Sequence, residues 1–321
     1  MTANWKRVSG STLKLIGVAA MCIDHIGLAL VGRMMLAASP GAWLTLLRNV
    51  YSVTRSIGRL AFPIFCFLLA EGFEKTGSRP KYLFRMGVFA LISEVPYDLA
   101  FSARLLEFGH QNVYFTLFLG LLSLCAFVYA EEHRLPPPVG WFMCAVGVAA
   151  SGAWLTEHCW QLVQRYILSR MPGLAVFGRP ITPSTLFWMI CVSAAIFLVC
   201  CRVYAGTDKM LRVGTKLAIL FLLMFLADLL HTDYSGVGVL TVTVIYILRN
   251  HSVPAMAGGC TMLMLKGLRE LMAFWTLIPV AMYNGERGLK LKYFFYVFYP
   301  AHLLLLWFVA WLMGTASIPV F

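Results

Sequence analysis

Runs of about twenty predominantly apolar residues recur along this 321-residue chain, with only short polar breaks between them. Twenty residues of α-helix extend about 30 Å, the thickness of a bilayer's hydrocarbon core. Hydrocarbon offers backbone amides no water, so a spanning segment is either a helix or a strand of a closed barrel. Barrel strands alternate apolar and polar side chains over about ten residues. The runs here are continuous and longer. The sequence therefore predicts an all-α, polytopic integral membrane protein. Composition agrees, with 60% hydrophobic and 12% charged residues, against about 25% charged in an ordinary soluble domain.

The spans read as 13–36, 56–73, 82–103, 112–130, 139–157, 184–203, 213–230, 236–249, 254–266, 270–283 and 294–315. That makes ten or eleven crossings in one bundle, because the eighth and ninth are short enough to be tilted, re-entrant or broken. The stretch 158–183 holds Arg165, Arg170, Pro172, Pro180 and Pro183 and reads as an outer interfacial segment. The first run exceeds the 7–15 residues of a signal-peptide core and lacks a small-x-small cleavage site, so it is expected to stay. No linker or repeat divides the chain, and residues 1–321 read as a single domain.

Basic residues cluster at the N-terminus (Lys6, Arg7), between spans two and three (Lys75, Arg79, Lys81), between six and seven (Arg202, Lys209, Arg212, Lys216), and between ten and eleven (Arg287, Lys290, Lys292). With eleven crossings all four clusters share one side, expected to be cytoplasmic together with the N-terminus. The net charge of +12 is then an attraction to the anionic lipid bilayer, and no nucleic-acid partner is expected. Nine cysteines lie mostly inside apolar segments and form no CxxC, so no metal site is expected.

Within this apolar frame, Asp24 and His25 stand in the middle of the first span. A carboxylate at that depth costs about 2.5 to 3.5 kcal/mol on insertion scales, so its helix faces a partner or a wet cavity. His25 lies about 18 Å along its helix, and Glu94 lies at a similar depth in the third span. Asp98 follows Glu94 by one turn and shares its face. Arg55 and Arg59 share a face at the start of the second span. His302 and Tyr299 share nearly the same face of the last. Ion pairs of Arg59 with Glu94 or Asp98, and of Arg85 with Glu71, are the structural reading of these charges. The chemical reading makes His25 a general base or nucleophile, with Glu94 as a candidate to orient its ring. Adjacent helix residues point about 100° apart, so Asp24 need not touch His25. No Walker loop, GxSxG or HExxH is present. Gly236 and Gly238 open a short helix and read as a close-packing surface.

The segments LKLIGVAAMCIDHIG (13–27), IGRLAFPIFCFLLAEGFEKT (57–76), KYLFRMGVFALISEVPYDLAF (81–101), NVYFTLFLGLL (112–122), TDYSGVGVL (232–240) and YNGERGLKLKYFFYVFYPAHLLLL (283–306) together resemble the TraX family of conjugal transfer proteins. The resemblance is ordered and covers most of the chain. It implies an acetyltransferase of the bacterial inner membrane, grouped with the acyltransferase-3 enzymes and heparan-alpha-glucosaminide N-acetyltransferase. Such proteins take acetyl from cytoplasmic acetyl-CoA and deliver it to an acceptor at the opposite face. In TraX of conjugative plasmids that acceptor is the N-terminal amine of pilin. A histidine and intramembrane arginines are central there, which marks His25, Arg59 and His302. The region 131–210 is longer and less recognisable than the family pattern. The acceptor therefore stays open between a pilin-like peptide, a glycan and a small molecule.

On this reading His25, Asp24, Arg59, Glu94, Asp98 and His302 are the candidate catalytic groups. Lys75, Arg79, Lys81, Arg85, Arg287 and Lys290 are candidates for the phosphates of acetyl-CoA, and Asn112 and Tyr299 for further hydrogen bonds. A proton-coupled secondary transporter and a non-catalytic scaffold of a conjugation apparatus are the alternatives.

Overall fold

The apolar runs are helical because only intrahelical bonds satisfy their backbone groups away from water. The computed structural model describes residues 7–171, 175–176, 179–180, 182–289 and 292–321. Helix α1 (Gly10–Ile26) passes through a π-helical turn (Gly27–Val31) into α2 (Gly32–Ala37). Helices α3 (Ala42–Gly58) and α4 (Ala61–Glu74) return, with a bend at Arg59 and Leu60. Next come α5 (Arg79–Phe101), α6 (Val113–Glu132) and α7 (Pro137–Leu162), the last prolonged by a π-helical run to Leu168. A minimal antiparallel pair, β1 (Ala175–Val176) and β2 (Arg179–Pro180), precedes α8 (Pro183–Leu229). The chain ends with α9 (Ser235–Ile247), α10 (Ser252–Leu263), 3-10 segments at Met264–Lys266 and Leu268–Thr276, α11 (Leu277–Ala281) and α12 (Lys292–Leu312).

Helix starts follow local chemistry. The side chains of Ser9, Ser78, Asn112 and Thr182 accept a backbone N–H at the starts of α1, α5, α6 and α8, which supplies one of the four partners a helix start lacks. Helix α8 is broken at Gly206, whose φ of 85° lies in the left-handed region that glycine tolerates. The chain reverses there. The first leg packs Phe187 and Cys191 beside Gly152 of α7, and the second packs Leu211 beside Gly140.

Five helical passes are long and apolar enough to cross a membrane: Gly10–Ala37, Ala42–Glu74, Val113–Glu132, Pro137–Leu168 and the two-legged Pro183–Leu229. The chain is an all-α, polytopic membrane protein. Three features depart from the expected spans. Residues 42–55, left unassigned, form α3, an amphipathic helix whose Trp43, Leu46, Val50 and Val53 are exposed. The expected interfacial stretch 158–183 begins inside α7, which stays helical to Leu168 because its polar residues face outward. The span expected at 270–283 is a 3-10 segment followed by the short α11.

Helix α9 is the centre of the packing, with Val237, Val239, Val242 and Ile245 at most 1% exposed. Gly236 makes this possible. A Cβ there would come within 2.9 Å of the Trp154 Nε1 and 2.8 Å of the Met224 carbonyl. Without a hydrophobic force between helices in lipid, small residues that let backbones approach supply the contact. Gly27 plays the same part between α1 and α3, where a Cβ would overlap the Thr54 side chain.

The basic loops meet at one end of the bundle. Lys75 donates to the Gly285 carbonyl (2.8 Å), the Gly10 amide donates to the Glu286 carbonyl (2.8 Å), and Arg79 lies 4.0 Å from Glu132. Glu131 receives Lys209 and Lys216, and Arg249 meets Glu74. Lys6 and Lys290 lie outside the described residues. Gly27→Leu is expected to force α1 off α3 and lower stability by about 1–3 kcal/mol, the usual cost of overpacking. Gly77→Leu, with open space around it, is expected to leave the melting temperature in detergent unchanged.

Candidate functional site

A cavity of about 410 Å³ opens at the basic end, between α1, α4, α5, α6 and α12. Lys14, Glu71, Lys75 and Arg287 line its mouth, and Tyr82, Arg85 and Tyr296 its middle. Its floor is Met21, Tyr114, Phe298 and Tyr299. From Gly10 to Met21, both in its wall, α1 advances about 17 Å. Charge at the mouth and aromatic, apolar walls below suit a long ligand with one charged end.

Beyond the floor lie the two intramembrane histidines. Met21 is one turn before His25 on α1, and Tyr299 is one turn before His302 on α12. His25 Nδ1 and His302 Nε2 are 2.8 Å apart, and His302 Nδ1 is 2.9 Å from the Phe298 carbonyl oxygen. The Tyr299 ring, part of the cavity floor, lies 6.1 Å from the His25 ring and 5.5 Å from that of His302, centre to centre. It lines the cavity and adjoins both rings, whereas neither histidine is itself among the lining residues. Phe101 covers another edge of His25 at 5.3 Å. His302 is 9% exposed and His25 half-buried.

Asp24 turns away from this pair, as the 100° step between neighbours requires. It forms an ion pair with Arg55, and Arg59 Nη2 lies 3.9 Å from its other oxygen. Arg59 Nη1 meets Glu270 Oε1 at 2.9 Å. The expected partners of Arg59, Glu94 and Asp98, are held elsewhere. Glu94 accepts from both the amide and the side chain of Asn112, and Asp98 accepts from the Glu107 amide at 2.8 Å. Glu94 is thus committed to the α5–α6 junction, and the role of orienting His25 does not fall to it. Asn112 also donates to the Ala90 carbonyl (2.8 Å) and caps α6. It lines no part of the cavity.

The six candidate phosphate ligands divide by position. Lys75, Arg85 and Arg287 line the cavity. Lys81 is exposed outside it. Arg79 is engaged with Glu132 and with the face of Phe73, its guanidinium 5.0 Å from the ring centre. Lys290 lies outside the described residues. The expected pair of Arg85 with Glu71 does not form. Among the described residues no carboxylate reaches Arg85, and its buried Nε has no hydrogen-bond partner. Glu71 instead accepts from Lys75 and Tyr283.

Sequence reasoning missed several polar groups. Glu270 sits in the 3-10 segment and is 4% exposed. Asp228 joins three helices, accepting from Trp154 Nε1 of α7 (2.6 Å) and from the Gly236 amide of α9 (2.7 Å). Arg33 is fully buried and donates through Nη1 to the Ala29 and Ala100 carbonyls at 2.8 and 2.6 Å. In a regular α-helix Arg33 would stand about 80° round from His25. The extra residue of the π turn takes back about 100°, which brings the two onto nearly one face. Among the described residues no cluster of three metal-ligating side chains occurs.

Against known proteins, the TraX protein family model matches residues 9–161 and 138–310, two overlapping segments that cover most of the chain. A probable fimbrial assembly protein FimC, serogroup H1, of Dichelobacter nodosus is 37% identical over 123 residues. That match takes in 36% of this chain and 45% of the relative, so it spans less than half the length of the curated protein. No solved structure matches.

Asn112→Ala removes the cap of α6 and leaves Glu94 with only the backbone amide of residue 112 as donor. The expected loss is about 1–3 kcal/mol of stability, read as a lower melting temperature in detergent. An unchanged melting temperature would remove Asn112 from its place as the clasp between α5 and α6.

Proposed function

Since this chain belongs to the TraX family, we propose that it is a membrane-embedded acetyltransferase which draws acetyl from acetyl-CoA through the cavity and passes it to an acceptor beside His25. The observation that carries this reading is the depth of the cavity. It opens among cations and ends one helical turn from a hydrogen-bonded histidine pair. A coenzyme A phosphate has chemistry that matches the mouth, where Lys75 and Arg287 stand, with Arg85 further in. The thin, uncharged pantetheine arm suits the aromatic walls. The basic end then faces the cytoplasm of a bacterial inner membrane, the compartment that holds the donor.

In the transfer, the acceptor is an amine or hydroxyl. His25 takes its proton as the acceptor nitrogen or oxygen bonds to the thioester carbonyl carbon. The tetrahedral intermediate then breaks its C–S bond, and the thiolate leaves with the proton that His25 returns. The products are the acetylated acceptor and free coenzyme A, and the histidine is restored. Tyr299, which lines the cavity and adjoins both rings, is the phenol placed to donate to the carbonyl oxygen as it gains charge. Arg59, tied to Glu270 and Asp24, acts on this step through the position of α1.

A second reading draws on the name of the fimbrial assembly relative. In it the protein is a non-catalytic component of a surface-filament or conjugation apparatus. The two readings separate on purified protein given isotopically labelled acetyl-CoA and candidate peptide, glycan and small-molecule acceptors, with products read by mass spectrometry. His25→Ala is expected to lower turnover by about 10²–10⁴-fold, the usual worth of a general base, with coenzyme A binding unchanged in calorimetry. A scaffold would show neither turnover nor binding.

The cavity also sorts the cations. Arg85→Ala and Arg287→Ala are each expected to weaken coenzyme A binding about tenfold, or about 1.4 kcal/mol. The loss at the mouth should shrink at high salt. Arg79→Ala and Lys81→Ala, outside the cavity, are expected to leave the dissociation constant unchanged.

A further inference from the structure

We propose that His302 is a positioning residue that holds His25 in one tautomer, with the proton on Nδ1 and Nε2 bare. The proposal rests on the acyl-transfer reading for its purpose, but its geometry stands independently of that reading.

The argument is one of donors and acceptors. The Phe298 carbonyl oxygen only accepts, so at 2.9 Å the His302 Nδ1 must carry the hydrogen. A neutral imidazole has one N–H, which leaves His302 Nε2 as an acceptor. The 2.8 Å contact to His25 then needs a donor, and His25 Nδ1 is the atom that faces it. The proton of a neutral His25 is thereby fixed on Nδ1. Its Nε2 keeps a free lone pair on the ring edge away from His302. A carbonyl of α12 thus dictates, through two rings, which nitrogen of α1 is basic.

Ring geometry supports the bond. The two planes are within 5° of parallel, and the centroids are 5.0 Å apart. That separation is close to the largest a 2.8 Å nitrogen contact allows. The rings therefore lie end to end in nearly one plane, with the Nδ1 hydrogen directed along the acceptor lone pair, and not face over face. No carboxylate takes this role among the described residues. Asp24 is turned to Arg55, and Glu94 and Asp98 are tied to Asn112 and the Glu107 amide.

In a hydrolase triad a carboxylate fixes the tautomer of the base and faces the cation that forms. Here the orienting group is neutral, which avoids a second buried anion at membrane depth. When His25 Nε2 takes the acceptor proton, the pair holds one added positive charge. The hydrogen between the rings can then reside on either nitrogen, so the charge is shared by both imidazoles. The count is conserved: two N–H hydrogens before the step, three during it, and two once the thiolate leaves with its proton.

The test has two arms. In protein labelled with ¹⁵N-histidine and held in lipid nanodiscs, His25 is expected to show a protonated Nδ1 and a bare Nε2 at neutral pH. His302→Ala is expected to convert it to a mixture of tautomers. This arm needs no turnover, so it decides the tautomer even if no acceptor is acetylated. In the second arm, His302→Ala is expected to lower kcat about 10²–10⁴-fold with KM for acetyl-CoA unchanged. His302→Gln, whose side-chain oxygen still accepts from Nδ1–H, is expected to recover at least tenfold of that loss. An Nε2–H tautomer in the wild-type protein would overturn the proposal. So would His302→Gln no better than His302→Ala with both folded, or His302→Ala turning over at the wild-type rate.

Discussion

The ion pair between Asp24 and Arg55 fixes the rotation of α1, and most of the site follows from that rotation. With the carboxylate directed at α3, the next residue points about 100° round, toward α12 and the end of α5. That is where His302 and Phe101 stand. Asp24 packs directly over Gly58, where any Cβ would overlap it. The pair is supported on its far side by Arg59 and Glu270. A buried charge left alone in this setting is costly, so each of these residues holds the others in place. Asp24 serves His25 through the backbone of α1 and not by contact.

The same economy governs the rest of the bundle. Apolar side chains meet lipid as readily as they meet one another, so helix positions are specified by small residues and by polar clasps. Asn112 joins α5 to α6, Asp228 joins α7, α8 and α9, and Arg33 holds two carbonyls near the π turn. Each clasp uses a group whose burial without partners would cost more than its packing returns. The cavity is the exception. There, among the described residues, Arg85 meets no carboxylate, and four tyrosines stand among the aliphatic walls.

Much of the fold was legible because hydrocarbon leaves few choices. A continuous apolar run of about twenty residues has to be a helix, and its length shows directly in the sequence. His25 and His302 were legible as candidates from depth alone. Their contact was not, since it joins residues 277 positions apart, and single-sequence periodicity carries no information about which helices meet. The partner of Arg59 failed for the same reason: Glu94 and Glu270 are both carboxylates within apolar runs, and packing chose between them. Helix α3 was hidden because Arg48, Asn49 and Arg55 lower the hydropathy of a segment whose other face is apolar. The division of the cations was not legible either. Lys81 and Arg85 lie at i and i+4, on one face of α5, and what separates them is that Lys81 stands a turn nearer the exposed helix start while Arg85 lines the cavity.

The reversal at Gly206 leaves the first leg of α8 with protein on one side only. Beyond its contact with α7 it presents Trp188, Val192, Ile196, Phe197, Val199 and Val203 outward, to be covered by acyl chains. Where such a helix meets protein, packing against its neighbour sets its tilt. That neighbour is α7, where Phe187 and Cys191 sit against Gly152, two residues from the Trp154 that donates to Asp228. The outlying leg is thus seated on the same stretch of α7 that ties the bundle's interior together.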